Sequence, residues 1–165
     1  MNNSILNYTG IVKLEYMYRG KIMHYEGHNN GLELLFKLYA KALAGEDVRS
    51  NRPTYIDVRV ESSTDTWTSV LNVAGLATGT YFSKDSSGDW CTRITATLAS
   101  YQFAQSPQEE KNYRFYLCSA DGDLAFLPVT GTSLTRIGNG TQAIIEWVLK
   151  VSNPQAETPI EEVEE

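Results

Sequence analysis

One helical stretch, set in a chain otherwise written in a period of two, limits the folds open to this protein. Residues 29–45 read Asn-Asn-Gly-Leu-Glu-Leu-Leu-Phe-Lys-Leu-Tyr-Ala-Lys-Ala-Leu-Ala-Gly. Asn29 or Asn30 can cap the first turn by accepting from a free backbone N–H, and Gly45 can adopt the left-handed conformation that ends helices, so the pattern predicts a helix over 30–44. Glu33, Lys37 and Lys41 recur every four residues and form one narrow wet stripe. Leucines, Phe36, Tyr39 and alanines cover the rest, a wider apolar arc than a helix lying on one sheet needs. The helix is therefore expected to pack on two sides, against its own sheet and against a second sheet or a neighbouring subunit. Leu34 and Leu38 are the candidate interface residues on it.

The remainder alternates. Val12, Leu14, Tyr16 and Tyr18 share one parity in 9–18, and Lys21 to Gly27 can return as a hairpin partner. Ile56, Val58 and Val60 alternate with Asp57, Arg59 and Glu61. Residues 62–76, rich in Ser, Thr and Asp, read as a long loop around Trp67, with at most a short strand at 69–73. Loops of that length often contact a partner, which makes Trp67 a third candidate interface residue. Strands are expected at 78–83, 90–101, 112–119, 124–129 and 142–151, with Asp121-Gly122 as a hairpin turn. Some eight short strands and one early helix predict a mainly β fold: a two-sheet antiparallel β-sandwich, jelly-roll or Ig-like, with the helix packed against it.

At 165 residues the chain is long enough to bury roughly two thirds of its unfolded surface in one domain. The expected division is a single domain over 1–153 and an acidic C-terminal tail over 154–165. That tail holds five of the twenty acidic residues and no base, leaving fifteen acids against fourteen bases in the body. A nearly neutral body without Lys/Arg clusters argues against nucleic acid as a partner. The tail is either a solvated end or a peptide that docks on another protein, which brings Glu161 and Glu162 among the candidate interface residues. Cys91 and Cys118 have neither a CxxC nor a Cys/His spacing, so free thiols and no zinc are expected. No signal peptide and no bilayer-spanning run is read, which points to synthesis in a cytoplasm and no membrane partner.

Catalytic chemistry finds little purchase. His24, Glu26 and His28 would share a strand face, but three ligands in a row on a flat strand seldom converge on one ion. Asp85 with Asp89, and Asp121 with Asp123, lie in turn-rich segments that lack the ligand spacing of a calcium loop. There is no Gly-x-Ser-x-Gly elbow and no Cys with a matched His. A non-enzymatic protein without cofactor is expected. Trp67, Tyr81, Trp90, Tyr101 and the Tyr-rich first hairpin leave open a carbohydrate- or receptor-binding module. Packing predicts Trp147 and Trp90 buried and Trp67 at a subunit contact, whereas recognition predicts exposed rings around one concave face.

Four pieces of the chain carry a resemblance: a strand hairpin, then Asn30-Gly31-Leu32 opening an apolar helix that ends in Ala44-Gly45, then Pro53-Thr-Tyr-Ile-Asp-Val58 entering the sheet, and Ile145-Glu-Trp-Val-Leu-Lys-Val-Ser-Asn153 closing it. Together they resemble small structural proteins of tailed bacteriophages. After Val58 the chain departs from that pattern, with Arg-Val-Glu-Ser-Ser where a Gly-rich segment is usual. The resemblance implies a virion component made in the host cytoplasm, in the tail, neck or fibre-attachment region or as an auxiliary capsid protein. Such a protein acts by homo-oligomeric assembly and contact with other virion proteins.

Overall fold

The structure is a computed structural model; it describes residues 7–18, 21–98, 112–129 and 143–152. Ten strands and one α-helix are seen among these residues: β1 Asn7–Tyr18, β2 Lys21–His28, β3 Asn30–Gly31, α1 Glu33–Leu43, β4 Tyr55–Ser63, β5 Thr66–Ala74, β6 Thr80–Lys84, β7 Trp90–Leu98, β8 Tyr113–Ser119, β9 Gly122–Val129 and β10 Ala143–Ser152. They form two antiparallel five-stranded sheets, ordered β2-β1-β10-β7-β6 and β3-β9-β8-β4-β5. Consecutive hairpins are dealt alternately to the two sheets, and β10 slots between β1 and β7. The mainly β two-sheet fold expected from the alternation is the one observed.

The alternation builds the core directly. Val12 and Leu14, Ile94 and Leu98, and Ile145, Trp147 and Leu149 line the inner face of the first sheet; Ile56 and Val58, Phe115 and Leu117, and Leu124 and Leu127 line that of the second. Each fully buried Leu, Ile or Val contributes about 1.5–3 kcal/mol of apolar transfer, so this shared layer dominates the stability. Trp147 is fully buried, as packing required.

The helix differs from its sequence reading at one end. It starts at Glu33 behind Leu32, which makes no side-chain capping hydrogen bond. Asn30 and Gly31 instead pair with Phe126 and Ala125 as the short strand β3. Asn29 turns to β1: its N–H donates to the Gly10 carbonyl at 2.9 Å and its Nδ2 to the Tyr8 hydroxyl at 2.8 Å. The tertiary partners hold the buried asparagine through its N–H and Nδ2, while its Oδ1 has no hydrogen-bond partner among the described residues. The other end follows expectation. Gly45 has φ +80°, its N–H donates to Ala42 and that of Glu46 to Lys41, the paired bonds of a Schellman motif.

The segment read as a loop over 62–76 is mostly strand. β5 pairs with β4 along its length, with register shifts at Val58/Arg59 and Glu61/Ser63. Each shift inserts an extra residue and breaks the period-2 signal, while the Ser/Thr content conceals the rest. Asp65, with φ 59°, makes the tight turn between the two strands.

Candidate functional site

The two sheets do not cover one another completely. Across the first sheet, Val12, Trp147, Ile94 and Thr80 form one inward row, and Gly10, Leu149, Thr92 and Phe82 form the next. The first row lies under the second sheet. Along the next row the cover ends: Leu149 is still buried but Phe82 is 78% exposed, and past it Trp90 is 61% and Val151 42% exposed. Phe82 and Trp90 touch with ring centroids 5.8 Å apart at 46°.

Helix α1 walls this open end on one side. Phe36 meets Tyr8 edge to face at 5.5 Å, and Tyr39 lines a groove of about 440 Å³ with Phe82, Trp90, Thr92, Leu149 and Val151. Burial and the neighbouring Tyr39 push the Tyr8 hydroxyl pKa up to about 12 despite its hydrogen bond with Asn29. Only Leu35 of the helix is fully buried, with Leu34 and Tyr39 packed beside it. Phe36 is 47% exposed and Leu43 89%, so the apolar arc that looked too wide for one sheet is partly uncovered.

The β6–β7 turn beside the groove is fixed by charge. Lys150 donates to Asp85 at 2.6 Å and to Asp89 at 3.1 Å, and the Asp85 carboxylate also accepts from the N–H groups of Ser87 and Asp89. These bonds hold Lys150 above its ordinary pKa and Asp85 below its own. Lys84 places its ammonium 5.2 Å from the centroid of the Trp90 ring.

A second surface runs over the outer face of the β3-β9-β8-β4-β5 sheet, where cations and rings interleave. The Arg114 guanidinium lies 4.1 Å from the centroid of Trp67 and 5.1 Å from that of Phe126; Phe126 stacks on Tyr116 at 5.6 Å; Arg59 lies 3.8 Å over Tyr116. Arg59 is anchored by Asp57 at 2.8 Å and by a two-pronged bond to Asp123 at 2.9 and 2.8 Å. Burial opposes the Arg59 charge, but the two carboxylates outweigh it and raise its pKa. Burial likewise opposes the Asp123 charge, yet the bonds from Arg59 and Cys118 keep its carboxyl below the usual range. Burial first, then the adjacent Asp123, pushes the Cys118 thiol up to about 12.

The candidate residues fall in different places. Trp67 is half-buried in the ring stack. Leu34 and Leu38 are half-buried and line a separate cleft with Lys37, Lys41 and Asp121, so much of their apolar surface serves the chain's own β8–β9 hairpin. Glu161 and Glu162 lie outside the described residues, as does Tyr101. Trp90 corrects the packing expectation. It has the inward parity of Ile94, but it stands at the strand end, where among the described residues no opposing sheet remains to bury it. Parity gave the side; only the length of the facing sheet could give the cover. Asp85 and Asp89 take a lysine, and Asp123 an arginine. His24, Glu26 and His28 are exposed, and no His/Cys/Asp/Glu cluster able to hold a metal occurs among the described residues. Both cysteines are free and buried.

No family model, no curated protein and no solved structure matches this chain.

Proposed function

We propose that this chain is a structural assembly protein: a component of a tailed-bacteriophage virion, of the tail, neck, fibre-attachment or auxiliary capsid type. It works by repeated contacts with its own copies and with other virion proteins. The observation that supports the assembly reading is the open sandwich end, where Phe82 and Trp90 stand exposed in contact beside a helix that shows Phe36 and Leu43 to solvent. Contiguous exposed apolar surface of this kind marks contact sites, and aromatic residues are enriched in them. The virion assignment draws on the sequence pieces around the helix and the last strand.

The exposure of Trp90 in a groove is also what a carbohydrate-binding module would need. Sugar recognition, however, requires a free ring face together with converging hydrogen-bonding groups. Here Lys84 lies against the Trp90 ring, Lys150 is already engaged by two carboxylates, and the hydroxyls of Thr92 and Tyr39 are the main polar groups left in the groove. That lining suits an apolar protein segment better than a glycan.

The test pairs light scattering with a host-glycan binding screen, on the full chain and on the double variant Phe82→Ser/Trp90→Ser. The expected result is a defined oligomer whose mass falls in the variant, with no glycan retained by either. Glycan binding that is lost in the variant while assembly stays intact would overturn the reading.

A further inference from the structure

Among the described residues four strand edges border the two sheets, and three of them are protected. β2 carries Lys21, His24, Glu26 and His28; β6 has only five residues and ends in Lys84; β9 is capped by β3 and contains Pro128. Charges, shortness, proline and cover are the ordinary means by which edges avoid pairing with other chains. β5 has none of these; its one edge device is the bulge at Val70. Its nine residues, Thr-Trp-Thr-Ser-Val-Leu-Asn-Val-Ala, hold no charge and no proline, and among the described residues nothing pairs with its outer edge.

The facing pattern of β5 also points to what would pair there. Opposite β4, Trp67 and Ser69 meet the outer-face residues Glu61 and Arg59, and Asn72 meets Asp57. Thr68, Leu71 and Val73 meet the inward Val60, Val58 and Ile56. The extra residue Val70 packs with Leu71 against the core. From Trp67 to Ala74 the side chains therefore run out, in, out, in, in, out, in, out. The order is the same in both directions. Laid antiparallel on itself across a two-fold axis between Val70 and Leu71, the strand matches outer with outer and inner with inner at every position. The large Trp67 then falls beside the small Ala74 of the other copy, and the half-buried Val70, Leu71 and Val73 gain cover. An uncharged edge also lets two acidic chains meet without repulsion at the seam.

We infer that two copies of this chain join edge to edge through β5, forming a continuous ten-stranded sheet with the Trp67–Arg114 stack flanking the seam. The inference rests on the assembly reading and says where two copies meet. The test introduces Thr68→Glu and Ala74→Glu together; both side chains are exposed in a single copy, and neither belongs to the Asp57–Arg59–Asp123 network. Paired β5 strands would set the new carboxylate at 68 against the inward Val73 of the other copy and that at 74 against its outer Trp67, so that each meets an apolar side chain at the seam. Light scattering and amide hydrogen exchange are read on the full-length protein, with circular dichroism to establish that the variant is folded. The expected result is a wild-type oligomer whose protection of amides 66–74 rises with concentration, and a folded variant of lower mass, with those amides exchanging at least tenfold faster. An oligomer that survives the double substitution but dissociates with Phe82→Ser/Trp90→Ser overturns the β5 seam and leaves the assembly reading standing. A monomer at all concentrations, or protection of 66–74 that does not depend on concentration, overturns the seam; in the second case the chain covers its own edge.

Discussion

Asn29 occupies the space that a side chain on Gly10 would need: a Cβ built there would lie 1.4 Å from the Asn29 Oδ1. The asparagine cannot simply swing away. It is buried, its Nδ2 holds the Tyr8 hydroxyl, and its own N–H is bonded to the Gly10 carbonyl. Gly10→Ala should therefore destabilise the fold by about 1–3 kcal/mol, the usual cost of overpacking, read as a lower urea midpoint at unchanged slope. A midpoint equal to the wild type would mean that this corner between β1 and α1 can relax.

Trp147 separates volume from polarity. Its ring is fully buried and its Nε1 has no hydrogen-bond partner among the described residues. Trp147→Ala should cost about 3–5 kcal/mol through the cavity it leaves. Trp147→Phe keeps much of the ring and removes an unmatched donor, so it should cost less than about 1.5 kcal/mol. Equal losses in the two variants would show that the indole N–H is satisfied after all.

Arg59 carries the outer-face stack. Arg59→Met leaves Asp57 and Asp123 without their cation and should cost about 2 kcal/mol at neutral pH, toward the low side for breaking a buried pair because the site is partly open to solvent. Asp123 titrates below its ordinary value in the native state, so its contribution is present above about pH 4 and is lost as pH falls through the native pKa. The gap between wild type and Arg59→Met should accordingly narrow on acidification, which urea titrations at several pH values would show. A gap independent of pH would assign the loss to ring packing on Tyr116.

Cys118 and Tyr8 act at the other end of the pH scale. Both are held protonated in the folded state, with pKa values pushed up to about 12. Between the unfolded values near 9 and 10 and that native value, the unfolded chain binds fewer protons than the folded one, so stability falls as pH rises. The urea midpoint should hold up to about pH 9 and then drop, and Cys118→Ala should remove part of the drop. At neutral pH both buried thiols should react with a thiol reagent only as fast as the protein opens.

Where one face of a strand meets core, the alternation was legible. Val12 with Leu14, Ile56 with Val58, and Ile145 with Trp147 were assigned inward by parity and are buried. The cap expected at Asn29 does not form because Tyr8 takes its side chain and Gly10 its N–H from 21 and 19 residues away, contacts no local rule contains. β5 was read as at most a short strand at 69–73 because the extra residue Val70 breaks its period and its Ser/Thr content hides the rest. Trp90 was misplaced because parity does not encode how far the facing sheet extends. Of the candidate surfaces, the excess apolar arc of α1 could be read from its sequence, and Phe36 and Leu43 remain exposed on it. The ring and guanidinium stack could not, since it joins residues of β4, β5, β8 and β9 that only pairing brings together.

The pairing of β1 with β10 bears on how this protein can carry tension. The strands are antiparallel, and Asn7 faces Ser152 at one end of the pair while Tyr16 faces Ala143 at the other. The chain thus enters the sheet through β1 and leaves it through β10 at the same end. Force applied through the flanking segments would open the two strands like a zipper, one pair of residues after another, instead of shearing all ten pairs at once. A subunit built this way resists load poorly along its own chain. It would hold best when gripped across its faces and edges, with the pull spread over its neighbours and its ends left slack.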